Sequence, residues 1–468
     1  MRGLAAYGVY LPYYRLDRTR IKGTLGQGGG KGTRAVASYD EDTTSMGVEA
    51  ARACLASTEL VPERLFFATA NPAYQDKTNA TTIHAALDLP RSAFAGDATG
   101  SVRSSVVAAM AAVGSAGPAL AVASDLRVGL PSGKDESEGG DAAAALLFGD
   151  SDDTPVIAEM LGRASSTGEF LDRWRAPGDP ASKVWEERFG EAIYLDHVKE
   201  ASGAALKAAG ISADELSKVI VAGLHTRAAR GAAKAIGAKP ESYVDDLTAV
   251  VGNTGSAHPY LLLASVLDSA EPGQTIALVV LADGCDVAIL RTTDAIANYR
   301  PAQTVAEAVA AGNDGLDYPL YLSWRGFLKR EPPRRPDPVR PSAPPSGRAE
   351  DWKFAFVGSR DRKSGAIHLP PQRTSMRGGN VDDMERVRMA DVPATIATFT
   401  IDRLAYSPSP PMVVAVIDFD GGGRFRCEMT DVDPKAVKIG DRVQMTFRRL
   451  FTADGVHNYF WKARPITG

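Results

Sequence analysis

Residues 254–283 read TGSAHPYLLLASVLDSAEPGQTIALVVLAD, and residues 99–125 read TGSVRSSVVAAMAAVGSAGPALAVASD. Each stretch begins with Thr-Gly-Ser, continues through small and apolar residues, and ends in an apolar segment that closes on Asp. A helix that is apolar on all sides lies inside a protein, and a short apolar run between turn residues is typical of a buried strand. Both stretches therefore predict a buried helix that leads into a central strand.

The order of the following elements repeats as well. A Gly/Asp turn and another strand come next in each case, GGDAAAALLFG at 139–149 and DGCDVAIL at 283–290. The matched order of four elements favours a duplicated α/β half-domain over a chance similarity of small-residue helices. Because helical and strand patterns alternate, we expect a layered α/β fold, with halves at residues 1–160 and 161–328.

A proline-rich segment at 329–350 separates this large part from a smaller one. Seven prolines lie between Glu331 and Glu350, a composition that favours an extended, semi-rigid spacer. Beyond it, five strand-like runs separated by Gly, Pro and Asp predict an OB-type barrel at 395–468.

OB barrels often bind nucleic acid, and some aromatic residues of this barrel are candidates for stacking on bases. They are Phe447, Tyr459, Phe460 and Trp461. The segment from residue 351 onward is only weakly basic, so packing of these rings inside the barrel is the favoured interpretation.

Composition restricts the function classes further. A formal net charge of −4 argues against non-specific binding to nucleic acid or to anionic membranes. No apolar run reaches the roughly 18 residues of a membrane span, and the first residues lack the pattern of a secretory signal. Three cysteines cannot build a disulfide framework, so we expect a reducing, cytoplasmic location.

A series of short stretches carries a family resemblance across nearly all of residues 1–330. In chain order they are GVYLPYYRL, SYDEDTTSMGVEAAR, PAYQDKTNA, SDLRVGLP, EFLDRWRAPG, WEERFGEAIYLDHV, LHTRAARGAAKAIG, GNTGSAHPYLLLASVLDSAEPGQTI and LDYPLYLSWRGFL. Together they resemble 3-hydroxy-3-methylglutaryl-CoA synthases of the archaeal type, within the thiolase superfamily. The resemblance implies a duplicated, layered αβαβα fold, a CoA thioester as substrate and no tightly bound cofactor. It also implies a homodimer that pairs central sheets edge to edge, and a place in lipid metabolism.

The small part resembles the zinc-ribbon and OB modules that accompany thiolase-like enzymes of acyl-CoA metabolism. The ribbon would occupy residues 351–394, and another enzyme of that metabolism would be a candidate partner. The positions of its four zinc ligands hold no cysteine, so we predict that the chain binds no zinc. These positions are Asp361, Ser364, Ser375 and Gly378.

The same resemblance assigns candidate site residues. His225 follows an apolar strand and Asn253 precedes the second helix, where the family binds a substrate oxygen that gains negative charge. His225, His258 and Tyr74 are candidates for the general base. A capping or packing role for His258 is the alternative.

Two catalytic groups of the family are replaced. Ser101 lies where the family has its nucleophilic cysteine, and Ala70 lies where it has a catalytic glutamate. An alcohol has a far higher pKa than a thiol and needs an adjacent base to attack a thioester. The cysteines of the chain, Cys54, Cys285 and Cys427, lie elsewhere in the sequence.

Three functions are compatible with this pattern. The first is an aldol or retro-aldol enzyme, a lyase or synthase that makes or breaks a C–C bond beside an acyl-CoA thioester without a cysteine, with His225 and Asn253 as oxyanion donors. The second is a catalytically silent protein that binds acyl-CoA or acts as a scaffold. The third is an acyltransferase or condensing enzyme that depends on Ser101.

Overall fold

In the computed structural model, the two quoted stretches form corresponding helix–strand pairs within the larger of two units. The structure describes residues 2–150, 154–185, 187–334, 336 and 338–466. The large unit comprises Met1–Ala37, Met46–Thr81 and Pro90–Tyr321, and the second unit comprises Ser38–Ser45, Thr82–Leu89 and Leu322–Gly468.

The large unit is built from strands and helices that alternate along the chain. The strands are β1 (Arg2–Tyr10), β2 (Tyr14–Asp17), β3 (Thr33–Val36), β4 (Arg64–Thr69), β5 (Phe94–Thr99), β6 (Ala119–Leu126), β7 (Asp141–Asp150), β8 (Ala158–Thr167), β9 (Arg173–Trp174), β10 (Lys183–Val184), β11 (Lys218–Gly223), β12 (Thr275–Leu281) and β13 (Gly284–Thr292). The α-helices up to the end of this part are α1 (Thr19–Leu25), α2 (Thr43–Leu55), α3 (Ala80–Ala86), α4 (Ser104–Val113), α5 (Lys134–Glu138), α6 (Glu187–Ala209), α7 (Thr226–Ile236), α8 (His258–Leu267), α9 (Val305–Ala310) and α10 (Tyr318–Trp324).

One nine-stranded sheet contains both halves, in the order β11-β12-β13-β8-β1-β7-β6-β4-β5. From the centre of the sheet outward, the first half contributes β1, β7, β6 and β4, and the second half contributes the equivalent strands β8, β13, β12 and β11. The parallel pairs β4–β6 and β11–β12 and the antiparallel pairs β6–β7 and β12–β13 occupy equivalent places. In place of β5, the second half has a single parallel bridge between Val219 and Tyr243. The topology thus confirms the duplicated fold, although the boundary between residues 160 and 161 stays a prediction.

The two central helices differ in burial. Nearly all of α8 is buried, as its apolar sequence predicts. On α4, Val107 is 54% exposed and Met110 is 40% exposed, so the prediction of a helix buried on every side is wrong there. The exposed side of α4 is an apolar face of the large unit.

The second unit holds a barrel and a small sheet. Its strands are β14 (Val357–Asp361), β15 (Ile367–His368), β16 (Met384–Arg388), β17 (Ala394–Asp402), β18 (Met412–Phe419), β19 (Arg424–Met429), β20 (Arg442–Ala453) and β21 (Val456–Pro465), and its short helices are α11 (Ala343–Arg348) and α12 (Glu350–Lys353). The closed barrel runs β17-β18-β19-β21-β20, which confirms the five predicted strands, and β15-β14-β16 form the sheet of the predicted ribbon.

Three of the four barrel aromatics named above are buried: Phe447, Tyr459 and Trp461. Phe447 stacks on Tyr459 with ring centroids 5.5 Å apart, while Phe460 packs against Trp352 at 5.3 Å. Aromatic packing of this kind stabilises the barrel and leaves these rings unavailable as a stacking surface. Helix α11 also lies within the predicted extended spacer, because prolines are well tolerated in a first helical turn.

A buried cluster of charges lies inside the second unit, between the segment Ser38–Ser45 and the barrel. Arg448 contacts Glu41 at 2.9 Å and Asp431 at 2.5 Å, and Lys462 contacts Asp40 at 3.0 Å. All five side chains are at most 4% exposed. Since unpaired charges are strongly disfavoured away from water, this pairing holds the segment against β20 and β21.

In the part of the chain that the structure describes, no helix is long and apolar enough to cross a membrane.

Candidate functional site

The structure brings the tips of the two repeated helices together. The Ser256 hydroxyl donates a hydrogen bond to the Ser101 carbonyl at 3.4 Å. Asp125, which lies in β6 and is buried, accepts from the Ser256 amide at 2.7 Å and from the Ala70 amide at 2.8 Å. One carboxylate therefore joins the second tip to the loop that holds Ala70, and Ser256 links that tip to the first.

A cavity of about 360 Å³ opens beside the second tip. Its wall includes the end of β11, the start of α7, and the side chains of Asn253, His258, Arg18 and Arg127. All of its lining residues belong to the large unit. Such a volume is typical of small-molecule sites.

Asn253 is held in place by its neighbours. Its Nδ2 donates to the Gly223 carbonyl at 2.8 Å, and its Oδ1 accepts from the Gly255 amide at 3.1 Å. Its backbone pairs with the loop after α5 through Glu138 and Gly140. An amide nitrogen carries two N–H groups, so Asn253 keeps one donor for a ligand in the cavity.

His225 lies in the wall next to this cavity. As the N-cap of α7 its Nδ1 accepts from the Ala228 amide at 3.1 Å, and its Nε2 lies 2.8 Å from the Glu187 carbonyl. Because Nδ1 accepts, the neutral ring carries its proton on Nε2 and donates it to Glu187. His225 lines a separate, small cavity, and its chain neighbours Leu224 and Thr226 line both.

Two further residues accompany His225 that sequence reasoning did not single out. Asp172 is buried in the wall of the small cavity, and Tyr194 lies with its ring 5.5 Å from the His225 ring. Burial raises the pKa of Asp172, although His225 and a hydrogen bond with Tyr194 oppose that effect. Asp172 lies in the family-like stretch EFLDRWRAPG and Tyr194 in WEERFGEAIYLDHV. This family resemblance was the feature of the sequence that could have pointed to them.

His258 lines the cavity but is fully engaged. Burial lowers the pKa of His258 to about 4, so the ring is neutral at pH 7. Its Nδ1 accepts from the Thr254 amide at 3.3 Å, and the ring also bonds the Asp246 backbone. This geometry favours the capping and packing role over that of a base.

Ser101 and Tyr74 are not among the residues that line the 360 Å³ cavity. The Ser101 hydroxyl accepts a hydrogen bond from the Arg103 amide at 3.3 Å. Arg103 in turn binds Asp286 at 2.8 Å, which ties the first tip to β13. The Tyr74 backbone closes a turn with Asn79. Their catalytic roles stay predictions.

The cysteines are poor candidates for a nucleophile. Cys54, Cys285 and Cys427 are all buried, and burial raises the pKa of Cys285 to about 12. Burial likewise raises the pKa of Cys54 and of Cys427. A thiol acts through its thiolate, so none of the three is suited to attack a thioester at neutral pH.

The predicted zinc positions form a hydrogen-bonded network instead. Asp361, which is buried, accepts from Ser364 at 2.5 Å and from Asn380 at 2.7 Å, and it also bonds Ser375. The Ser364 hydroxyl, followed by Asn380, holds the pKa of Asp361 well below its usual range. Among the described residues, no group of three or more His, Cys, Asp or Glu is placed to hold a metal ion.

Comparison with known proteins agrees with this architecture. Residues 387–448 match the family described as the C-terminal OB-fold domain of ChsH2. Hydroxymethylglutaryl-CoA synthase of Picrophilus torridus is 27% identical over 347 residues, which cover 70% of this chain and 98% of that protein. The corresponding enzyme of Aeropyrum pernix is 29% identical over 346 residues, or 70% of this chain and 94% of the relative. Over about 70% of its length the chain is similar to hydroxymethylglutaryl-CoA synthases.

Solved structures share its fold. MvaS in complex with 3-hydroxy-3-methylglutaryl coenzyme A has a TM-score of 0.57 and 21% identity, and the match covers 83% of this chain and 99% of that one. The 3-oxoacyl-[acyl-carrier-protein] synthase III of Aquifex aeolicus has a TM-score of 0.55 and 19% identity, with 62% and 100% covered. The large unit therefore has a thiolase-like fold, and an OB barrel follows it along the chain, as the sequence predicts.

Proposed function

We propose that this hydroxymethylglutaryl-CoA synthase homologue binds an acyl-CoA thioester in the 360 Å³ cavity and makes or breaks a carbon–carbon bond beside it, without an acyl-cysteine. The observation that carries the proposal is Asn253, an amide fixed on both sides in the cavity wall with an N–H left to donate. The CoA thioester is the substrate, and the reaction needs no tightly bound cofactor. The homologous synthases support an enzyme that acts on acyl-CoA.

An aldol-type reaction suits the groups that are present. In the retro-aldol direction, a base takes the proton of a 3-hydroxyl group and the C2–C3 bond breaks. The acyl-CoA enolate that departs carries its charge on the thioester oxygen, where preorganised N–H donors are most effective. Asn253 supplies one donor from the wall of the 360 Å³ cavity. In this proposal the thioester reaches past Leu224 and Thr226, which line both cavities, and the Nε2–H of His225 supplies a second donor once it exchanges the Glu187 carbonyl for substrate.

The base in this proposal is Asp172. A buried carboxyl group whose pKa is raised is better matched to proton transfer near neutral pH than an ordinary one. Asp172 shares the small cavity with His225. The fixed tautomer of His225 makes it a donor rather than the base.

Turnover of a panel of 3-hydroxyacyl-CoAs tests the reaction, with mass spectrometry to detect an aldehyde or ketone and the shortened CoA ester. We expect Asn253→Ala to lower kcat by about 10²–10³-fold, as the loss of an oxyanion donor does. Ser101→Ala is the matched control and should keep kcat within about twofold, because no acyl-enzyme forms. Loss of turnover in Ser101→Ala, or labelling of Ser101 by acyl-CoA, would favour the Ser101-dependent acyltransferase instead.

A catalytically silent acyl-CoA-binding protein is the second candidate. The observation that favours it is that both ring nitrogens of His225 are bound to backbone groups, those of Ala228 and Glu187. Binding of CoA esters without turnover of any member of the panel would support this function over the first.

We also propose a homodimer. Strand β5 is an edge of the nine-stranded sheet, and Phe94 at its start is 55% exposed. On α4, the side chains of Val107 and Met110 are also exposed, at 54% and 40%. An unpaired edge beside apolar side chains suits a two-fold contact with a second copy. Light scattering should show a dimer that Phe94→Asp converts to a monomer. The cytoplasmic location and a partner from acyl-CoA metabolism stay predictions.

A further inference from the structure

An apolar rim surrounds the small cavity that Asp172 and His225 line. It consists of four large side chains that are 44–62% exposed, Leu171, Val184, Trp185 and Phe189. Scattered apolar side chains are normal on a protein surface, whereas a contiguous patch of them marks a site of interaction. Because the four lie beside the reacting groups of the proposed function, the occupant to consider first is the substrate.

Backbone contacts bring three of these side chains together around Asp172. Leu171 precedes Asp172 in the chain, and the Trp185 amide donates to the Asp172 carbonyl at 2.8 Å. Val184 pairs with Arg173 across the hairpin of β9 and β10. The three apolar residues therefore lie on adjoining segments beside the proposed base, and Val184 also lines the small cavity.

Phe189 completes the apolar rim from the start of α6. Its chain neighbour Gly190 is close to both site residues, since a Cβ atom added there would lie 3.1 Å from the His225 Nε2 and 3.5 Å from the Asp172 Cβ. The first turn of α6 also supplies the Glu187 carbonyl that lies 2.8 Å from the His225 Nε2. The helix thus places Phe189 within one residue of the contact with His225 and Asp172.

The other charged residues of the small cavity are already matched or hydrated. Lys134 contacts Glu187 at 2.5 Å, and Arg173 makes two hydrogen bonds with Asp135, at 2.6 and 2.8 Å. The side chain of Arg227 is 50% exposed, so water can solvate its charge. The apolar rim therefore favours an uncharged, apolar occupant over an anionic one.

The size of the small cavity limits which part of a substrate can enter it. It measures about 20 Å³, which is enough for one small polar group. The 3-hydroxyl group of a 3-hydroxyacyl-CoA fits this space beside Asp172, and the carbons beyond C3 then have to lie outside it. We propose that the apolar rim binds these carbons, so that the substrate is a 3-hydroxyacyl-CoA with an apolar chain and the carbonyl product is an apolar aldehyde or ketone. The inference rests on the proposed function.

Calorimetric titration of the full chain with 3-hydroxyoctanoyl-CoA and 3-hydroxybutanoyl-CoA tests this inference. The two esters share the CoA part and the 3-hydroxyl group, and the octanoyl ester has four more methylene groups beyond C3. We expect the wild type to bind the octanoyl ester at least about tenfold more tightly, since each methylene group that leaves water strengthens binding by up to about fourfold. Trp185→Ser combined with Phe189→Ser should reduce the preference to about twofold or less and change the affinity for the butanoyl ester little.

Val184→Ser and Val61→Ser form a matched pair of single variants. Val184 belongs to the apolar rim, and its replacement should reduce the preference by about two- to threefold. Val61 is also well exposed, but it precedes β4 and lines neither cavity, so its replacement should leave the preference unchanged.

A wild type that binds both esters equally overturns the inference, and so does a double variant that keeps the preference. In the second case, a change of oligomeric state on light scattering would assign the apolar rim to a contact between two copies of the chain. A preference for the octanoyl ester without cleavage of either ester would contradict the proposed reaction alone. Absence of binding by both esters would contradict the proposed function and this inference with it.

Discussion

Arg448 in the second unit and Arg127 in the large unit are both almost excluded from solvent, at 0% and 9% exposed. Arg448 meets three carboxylates within 3.4 Å, whereas the one described ion pair of Arg127 is at 3.9 Å. The same side chain is thus used as part of a closed network in one region and as an unsatisfied group in the other. Arg448 ties the segment Ser38–Ser45 to the barrel, whereas the Nε of Arg127 is buried without a partner in a cavity wall.

The positions of lost cysteine chemistry show the same difference. At the predicted zinc ribbon, Ser364 and Ser375 both bond Asp361 and so keep the segment together. At the first helix tip, the Ser101 hydroxyl bonds only the Arg103 amide among the hydrogen bonds described, and the cavity opens beside the second tip. The polar residues at the predicted ribbon positions close a network, whereas a cavity opens beside the second helix tip.

The largest effect is expected for Arg448→Met. Removing one member of a buried ion cluster leaves charges such as Asp431 unpaired, at a cost of about 3–5 kcal/mol in the free energy of unfolding. Hydrogen–deuterium exchange in β20 and β21 measures that loss. The control Arg424→Met removes a similar pair with Asp418 in which Arg424 is 66% exposed, and it should cost about 0–1 kcal/mol. If both variants lost the same free energy of unfolding, the contrast between a buried and an exposed ion pair would be contradicted.

Acid should weaken the same cluster by a smaller amount. Burial acts to raise the pKa of Asp40, but Lys462 and Arg448 outweigh it and lower the pKa below its ordinary value. A carboxyl group of this kind stabilises the fold above its unfolded pKa of about 3.9 and loses that contribution as the pH falls through the folded value. Thermal unfolding measured from about pH 5 down to about pH 2 should show the loss. Asp40→Asn should flatten the acid dependence, and an unchanged slope would argue against this assignment.

The Asp361 network should produce the next effect. Asp361→Ala orphans the hydroxyl and amide groups that donate to it, and we expect Tm to fall by about 5 °C. Asp382→Ala is the control in the same segment, because its pair with Arg373 is exposed and should change Tm little. Addition of EDTA should leave the Tm of the wild type unchanged. A Tm that falls on chelation would show that a metal, rather than this network, holds the ribbon.

The smallest effect is expected for Arg127→Met in the absence of ligand. Replacing an unpaired buried charge by an apolar side chain should raise the free energy of unfolding by no more than about 1 kcal/mol. Arg34 in the same unit is the matched contrast, since it is fully buried and donates to Glu136, Arg127 and Asp141. Urea unfolding should show a lower free energy of unfolding for Arg34→Met but not for Arg127→Met. A comparable loss for Arg127→Met would make Arg127 a structural residue.

Local sequence patterns predicted much of the fold. The repeated Thr-Gly-Ser stretches gave the duplicated halves, and turn residues between apolar runs gave all five barrel strands. The patterns could not show that Ser38–Ser45 lies in the second unit, because its partners Arg448 and Lys462 are far along the chain. The sequence also could not predict that the second half has a single bridge at Tyr243 where the first half has strand β5, since a single bridge has no periodicity to detect.

The candidate site was predicted only in part. Asn253 and His258 line the cavity, and both were named from the sequence. Asp172, Tyr194 and Arg127 were not, because their significance depends on contacts between elements that are distant in sequence. For His258, the hydrogen bond with Thr254 and the burial of the ring favour the capping and packing alternative, and its role as a base stays a prediction.

The burial of all three native thiols has a practical consequence for chemistry at the first helix tip. A Ser101→Cys variant would carry a single sulfhydryl outside the packed interior, so an alkylating probe would report on that position without background from the rest of the chain. The tip could then be followed directly by fluorescence or mass shift as acyl-CoA compounds occupy or vacate the neighbouring space.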